Sequence, residues 1–194
     1  MLFEIFNKAY YNSSIIDKIY RGDSLIYQFG GVIPVPSPVI SASGGTITEF
    51  TSAGNVYTVH TFTSSGTFTL SEPNLSIDYL IVAGGGGSNF DGSGGGGAGG
   101  VLTGTMYLTG TNYNVIIGGG GRAGVDSGTI FATNGQNSIF NSITAIGGGA
   151  SGRFSSVAGA RGGSGGGGGL TAGGGGANES GQGFAGGAGG GTLT

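Results

Sequence analysis

Few residues of this 194-residue chain have side chains suited to catalysis or ligand capture, and their spacing decides how each is read. His60 is the sole histidine and stands in the alternating stretch Tyr57-Thr58-Val59-His60-Thr61-Phe62, sharing a face with Thr58 and Phe62. A general base or metal ligand needs partner groups, and none is near it in sequence. It reads as a strand histidine, either satisfied or exposed. Asp91, Asp126 and Glu179 could form a carboxylate pair or a calcium site, but calcium takes about six to eight oxygens. The nonapeptide pattern of calcium-binding β-rolls is absent, so these three read as surface-loop carboxylates. With no cysteine, disulfides and thiolate metal sites are excluded. Gly-x-Gly-x-x-Gly matches recur, but a dinucleotide site needs a helix behind the motif and none is predicted. No lysine follows Lys18, which removes a phosphate-loop lysine. Arg21-Gly22-Asp23 spells the integrin-binding tripeptide, yet it falls where a hairpin turn is expected. The chain therefore reads as non-enzymatic, with no metal and no cofactor.

The binding candidates lie in short segments between glycine runs. They are Phe90 and Asp91, Arg122 and Asp126, Arg153 and Phe154, and Asn178 and Phe184. Each segment sets an aromatic or charged residue on a small-residue background, which suits stacking on sugar rings and hydrogen bonds to hydroxyls. Rigid scaffolds carrying such loops are a common way to build a binding site. The competing reading places Phe90, Phe154 and Phe184 between layers as spacers.

What positions these segments is glycine. Of 50 glycines, 43 follow Val82, in runs such as 84–87, 94–97, 118–121, 147–149, 165–169 and 173–176. Glycine has no side chain to bury and the highest ordering entropy of any residue. From Gly147 to Thr194 the large apolar residues are Phe154, Val157, Leu170, Phe184 and Leu193, too few for a conventional core. The physical alternative is a stack of polyglycine II helices. These have polyproline II geometry, three residues per turn and no internal hydrogen bonds. Their N–H and C=O groups point outward and can bond neighbouring helices where only hydrogen occupies the contact.

Before the glycine runs the chain reads as β-sheet. Residues 8–27 hold a period-ten repeat, with Lys8-Ala9-Tyr10-Tyr11-Asn12-Ser13 aligned on Lys18-Ile19-Tyr20-Arg21-Gly22-Asp23. The pairs Asn12-Ser13 and Gly22-Asp23 suit two-residue hairpin turns. A small N-terminal β-meander over 1–29 follows, with Tyr10, Ile16, Tyr20, Leu25 and Tyr27 as candidates for attachment to a particle, since so small a sheet needs something to dock on. Pro34, Pro36 and Pro38 mark 30–45 as a semi-rigid linker. Strands are predicted at 56–63, 66–70, 78–82, 101–108, 113–117, 129–131 and 139–146, with no helix. The expectation is an all-β chain: meander, linker, an antiparallel β-sandwich or jelly-roll-like domain over 46–146, and a polyglycine II region over 147–194.

Charged residues make up 8% of the chain, net charge is −3, and the six basic residues are scattered. That argues against nucleic acid, which calls for a basic face. No apolar run approaches the roughly 20 residues of a membrane span, and Met1 to Lys8 lacks the pattern of a secretory signal. A glycine-dense, weakly charged chain of this kind suits an extracellular or virion structural protein more than a cytosolic enzyme, and release inside an assembled particle at lysis would bring it outside the cell without a signal of its own.

The stretch from His60 through Leu70, followed by Ile77-Asp78-Tyr79-Leu80-Ile81-Val82 and the run 84–87, resembles the glycine-rich domain of bacteriophage tail and fibre proteins. So do Tyr113-Asn114-Val115-Ile116-Ile117 with 118–121, and Ile143-Thr144-Ala145-Ile146 with 147–149; the resemblance covers 56–194. It implies a virion structural protein, a homotrimeric tail fibre or receptor-binding adhesin for host attachment, with other virion proteins and a host surface glycan or outer-surface protein as partners. A capsid decoration or head-fibre protein is the alternative built from the same parts. An ice-binding stack would need a strict tripeptide repeat with threonine on one side, and these runs are irregular.

Overall fold

A computed structural model describes residues 3–8, 18–21, 24–28, 41–125, 129–154, 157–170 and 175–190. Among them there is no helix; the chain is all-β and sandwich-like. The first sheet runs β5 (Thr46–Ser52), β6 (Asn55–Phe62), β1 (Phe3–Lys8), β8 (Leu75–Val82), β9 (Val101–Leu108). The second runs β12 (Ile143–Ala145), β11 (Ser138–Phe140), β10 (Asn112–Ile116), β7 (Gly66–Leu70), β4 (Ala42–Ser43), and every pairing in both is antiparallel. A separate hairpin joins β2 (Lys18–Arg21) to β3 (Ser24–Gln28).

Strand alternation builds the core. On β7, Phe68 and Leu70 are buried while Thr67 and Thr69 are not; on β8, Leu75, Ile77 and Ile81 take the inner face. Phe62, Leu75, Ile77, Ile81 and Leu108 of the first sheet join Phe68, Leu70, Val115, Phe140 and Ala145 of the second in one cluster, the signature of two sheets packed face to face. Phe68 and Phe140 meet edge to face at 6.2 Å, and His60 meets Phe68 likewise at 5.1 Å. His60 is fully buried, with Nδ1 2.8 Å from the Gly44 carbonyl oxygen, which makes Nδ1 the donor. Nε2 has no hydrogen-bond partner among the described residues. This histidine is a core spacer between the sheets, only half satisfied.

The strand predictions hold from β6 to β10 within a few residues and fail in four places, the first being β4, whose Ala42 and Ser43 pair with Leu70 and Thr69 of β7 inside the span read as a linker. The predicted strand at 139–146 is a hairpin, β11 and β12, turned at Asn141, whose φ of +52° is left-handed. Thr129 to Phe131 contributes only an isolated bridge, Ile130 to Val125. Residues 46–52, given no strand, form β5, closed onto β6 by a two-residue turn with positive φ at Ala53 and Gly54.

The N-terminus also differs. The sequence set 1–29 apart as a meander, whereas Phe3 to Lys8 lies mid-sheet, Phe3 opposite both Phe62 and Ile81. Only β2 and β3 remain a hairpin of their own, with Arg21 opposite Ser24 across the expected Gly22-Asp23 turn. Tyr20, Leu25 and Tyr27 fall on these two strands, while Tyr10, Ile16, the turn pairs and the prolines lie outside the described residues.

The glycine runs make one stack. Its members are 83–88 (r1), 94–100 (r2), 117–123 (r3), 132–137 (r4), 146–152 (r5), 157–162 (r6), 163–170 (r7), 175–178 (r8) and 183–190 (r9). Their hydrogen bonds run between members and repeat every third residue. In r7, Ser164 and Gly167 donate to Ala98 and Gly95 of r2 at 2.9 Å. Gly165 and Gly168 donate to Phe184 and Gly187 of r9 at 2.9 Å, and Gly166 and Gly169 to Ala160 and Val157 of r6 at 3.0 and 3.1 Å. That is the threefold screw of polyglycine II. In r5, Gly148 and Ser151 donate to r1, and Gly149 and Gly152 to r7. The third phase of r5, Gly147 and Ala150, donates to the side-chain oxygens of Asn137 and Asn134 at 2.9 and 2.8 Å. The excursions of the sandwich (r1 to r4) and the residues after 146 thus share one lattice.

Close approach explains the glycine. Among described glycines only Gly44, Gly45, Gly54, Gly92 and Gly181 have positive φ, so conformation does not demand glycine inside the runs. Space does. A Cβ on Gly86 would overlap the Gly149 carbonyl, and one on Gly166 the Ala150 carbonyl.

Candidate functional site

The runs alternate in direction, which gathers the loops. r1 leaves β8 and r2 returns into β9; r3 leaves β10 and r4 returns into β11; r5 leaves β12. The r1–r2, r3–r4 and r5–r6 connections therefore meet at the end of the stack away from the sandwich. The r6–r7 and r8–r9 turns lie at the sandwich end, where Gln182 accepts from Val101 N–H through its backbone oxygen at 3.0 Å and from Ile146 N–H through Oε1 at 2.8 Å.

The far end is a bolted set of loops. Asn89 ties the r1–r2 loop to r5 and r4: its N–H donates to Ser151 Oγ, its Nδ2 to the Ser151 carbonyl, and its Oδ1 accepts from Ala132 N–H, each at 2.8 Å. Leu170 N–H donates to the Gly92 carbonyl at 2.9 Å, and Gly124 N–H to that of Ser88 at 2.9 Å. Gly92 has φ +54° and lies against the Phe154 and Leu170 side chains. With the backbone so tied, three phenylalanines stand partly in solvent: Phe90 at 59% exposure, Phe154 at 47% and Phe131 at 41%.

Two arginines converge on Phe131. The Arg153 guanidinium carbon sits 4.1 Å from the ring centroid, a cation–π contact. Arg122 donates through Nη2 to the Phe131 carbonyl at 3.3 Å, while Thr133 Oγ1 accepts from its N–H at 2.9 Å. The one ion pair formed among the described residues is Arg161–Glu179, 2.7 Å, at the sandwich end. Asp91, exposed in the r1–r2 loop with φ +45°, is paired with neither tip arginine.

Of the candidates from sequence, Phe90, Asp91, Arg122, Arg153 and Phe154 come together at this tip; Asp126 lies outside the described residues. Asn178 and Phe184 sit at the opposite end. Asn178 Nδ2 donates to the Gly183 carbonyl at 2.9 Å, closing the r8–r9 turn. Phe184, 84% exposed, borders a shallow groove with Ala98, Val101 and Gln182. None of Phe90, Phe154 and Phe184 is buried between runs, as spacers would be. Sequence reasoning missed Phe131, taken as a strand residue, and Asn89 as the fastener. An asparagine just past the end of a glycine run, as Asn89 is past Gly84–Gly87, is the signal that would have found it.

No group of three or more histidine, aspartate or glutamate side chains gathers as a metal site among the described residues. The tip can offer aromatic faces, guanidinium donors and fixed backbone amides, which is binding chemistry. Comparison with curated proteins and with solved structures gives no match. The family model of the glycine-rich domain matches residues 63–194, from the loop before β7 through the last run, and the chain belongs to that glycine-rich domain family.

Proposed function

We propose that this chain is a structural protein of a bacteriophage virion, a tail fibre or receptor-binding adhesin that contacts the host surface through the tip of its glycine stack. The observation that carries the reading is the tip itself. A lattice with nearly every run pinned by backbone hydrogen bonds holds loops that expose aromatic and cationic side chains, with Asp91 beside them, and Asn89 locks its loop to r4 and r5. Surface loops on a rigid scaffold are the usual arrangement of a recognition site. In this reading the protein acts as a homo-oligomer, a trimer as in fibres, bound to other virion proteins through its N-terminal strands.

Two measurements test it together. Mass spectrometry with cryo-electron microscopy of purified particles should find a few copies at the tail, and the purified chain should slow phage adsorption to host cells. Hundreds of copies on the shell would make it a capsid decoration or head fibre, and absence from particles would end both readings. Light scattering that gives a monomer or a dimer would remove the trimer.

A further inference from the structure

Arg122 and Arg153 are the only basic residues of the glycine stack outside the sandwich end, and both address Phe131 from different loops. Arg153 lies against the ring, which restrains its guanidinium, and the residue is exposed. Arg122 donates one guanidinium N–H to the Phe131 carbonyl, and its others meet no acceptor among the described residues. Each guanidinium carries five donors and no acceptor, and no carboxylate forms an ion pair with either among the described residues. Two partly immobilised forks, neither of them ion-paired among the described residues, beside the exposed Phe90 and Phe154 rings make a site with two kinds of demand. One is an oxyanion, which a guanidinium binds through paired hydrogen bonds. The other is a flat apolar face of ring size.

We propose that the tip takes an acidic saccharide. The phosphate or carboxylate of one sugar sits on Arg122 and Arg153, and the C–H face of a sugar ring sits on Phe154 or Phe90. This rests on the adhesin reading and gives it a ligand class. Two cations on a chain of net charge −3 cannot track the backbone of a nucleic acid, whose binding grows with each phosphate neutralised. They match a single anionic group on a surface polymer.

The test uses the full chain, ¹⁵N-labelled, titrated with glucose 6-phosphate, galacturonic acid, glucose and inorganic phosphate, with adsorption blocking measured in parallel. Saturable shifts at Arg122, Ala132 and Thr133 amides with either acidic sugar, and none with glucose, are expected; which acid binds tighter separates phosphorylated from uronic polymers. Arg153→Gln should weaken binding roughly tenfold or more with circular dichroism and melting temperature unchanged, and Arg122→Gln provides the same readout if Arg153→Gln unfolds. Equal binding of glucose would overturn the anionic assignment. Phosphate binding as tightly as glucose 6-phosphate would reduce the site to an anion site without a sugar. No binding by any probe, with adsorption still blocked, would overturn the saccharide and leave the adhesin reading with a protein receptor. Loss of adsorption blocking by the unmodified chain would fail the adhesin reading instead.

Discussion

The stack makes a sharp distinction between glycines that look alike in sequence, and Gly148→Ala against Gly187→Ala tests it. Gly148 lies in r5 with three runs around it. An added Cβ would overlap the Gly97 carbonyl of r2 and come within 2.7 Å of the Gly86 nitrogen of r1. To make room, r1 and r2 must part, straining the Gly86-to-Gly97 bond at 2.8 Å, the Gly148-to-Gly84 bond at 2.8 Å and the Gly135-to-Gly148 bond at 2.9 Å. Loss of two such bonds at about 1 kcal/mol each, with overpacking of about 1–3 kcal/mol, gives roughly 3–5 kcal/mol. For a chain of this size that is a fall in melting temperature of roughly 6–20 °C. Gly187 faces open space on r9 with no left-handed φ, so alanine there removes unfolded-state freedom and should stabilise by about 0.4–1 kcal/mol. Differential scanning calorimetry of the two variants beside the parent decides the matter. If both melt within a degree of the parent, or if Gly187→Ala costs as much as Gly148→Ala, the close-packed lattice is wrong.

Two further outcomes follow from the same geometry. Asn134→Ala leaves the buried Ala150 N–H without its acceptor and should destabilise by about 1–3 kcal/mol, read by chemical denaturation, with faster hydrogen exchange at Ala150. Glu179→Gln removes the partner of Arg161 in a pair whose side chains are 65% and 38% exposed. It should change stability by less than about 0.5 kcal/mol in the same assay, and a larger loss would mean the ion pair anchors the r8–r9 turn.

What the sequence made legible was whatever depends on local pattern. Period-two alternation exposed β6 and β7 and a short apolar run exposed most of β8, while the glycine runs with few large side chains pointed to polyglycine II, because packing of backbone on backbone is what can order them. Turn chemistry was legible but unevenly used. Asn12-Ser13 reads as a turn, and the same dipeptide at Asn141-Ser142 splits the predicted strand 139–146. The place of β1 was out of reach: Phe3-Glu4-Ile5-Phe6 carries strand character, but its partners are more than fifty residues away and its register is fixed only by them. The tip was half legible. Phe90, Arg122, Arg153 and Phe154 stood out against small neighbours, yet that Arg122 and Arg153 share Phe131 depends on the folding back of r3 and r5, which no spacing encodes.

The three-residue repeat of the hydrogen bonds sets a rule for how such a chain can change length. Three residues inserted into a run restore every donor beyond them to the neighbour it had before, about 9 Å further along the stack. One or two inserted residues turn each later donor by a third or two thirds of a turn, away from its acceptor and toward the wrong run. Growth of the stack therefore proceeds in triplets, and in matched out-and-back pairs of runs, whereas the tip loops can gain or lose any number of residues. Length variation that is quantised in the shaft and free at the end lets recognition diversify while the support beneath it keeps its register.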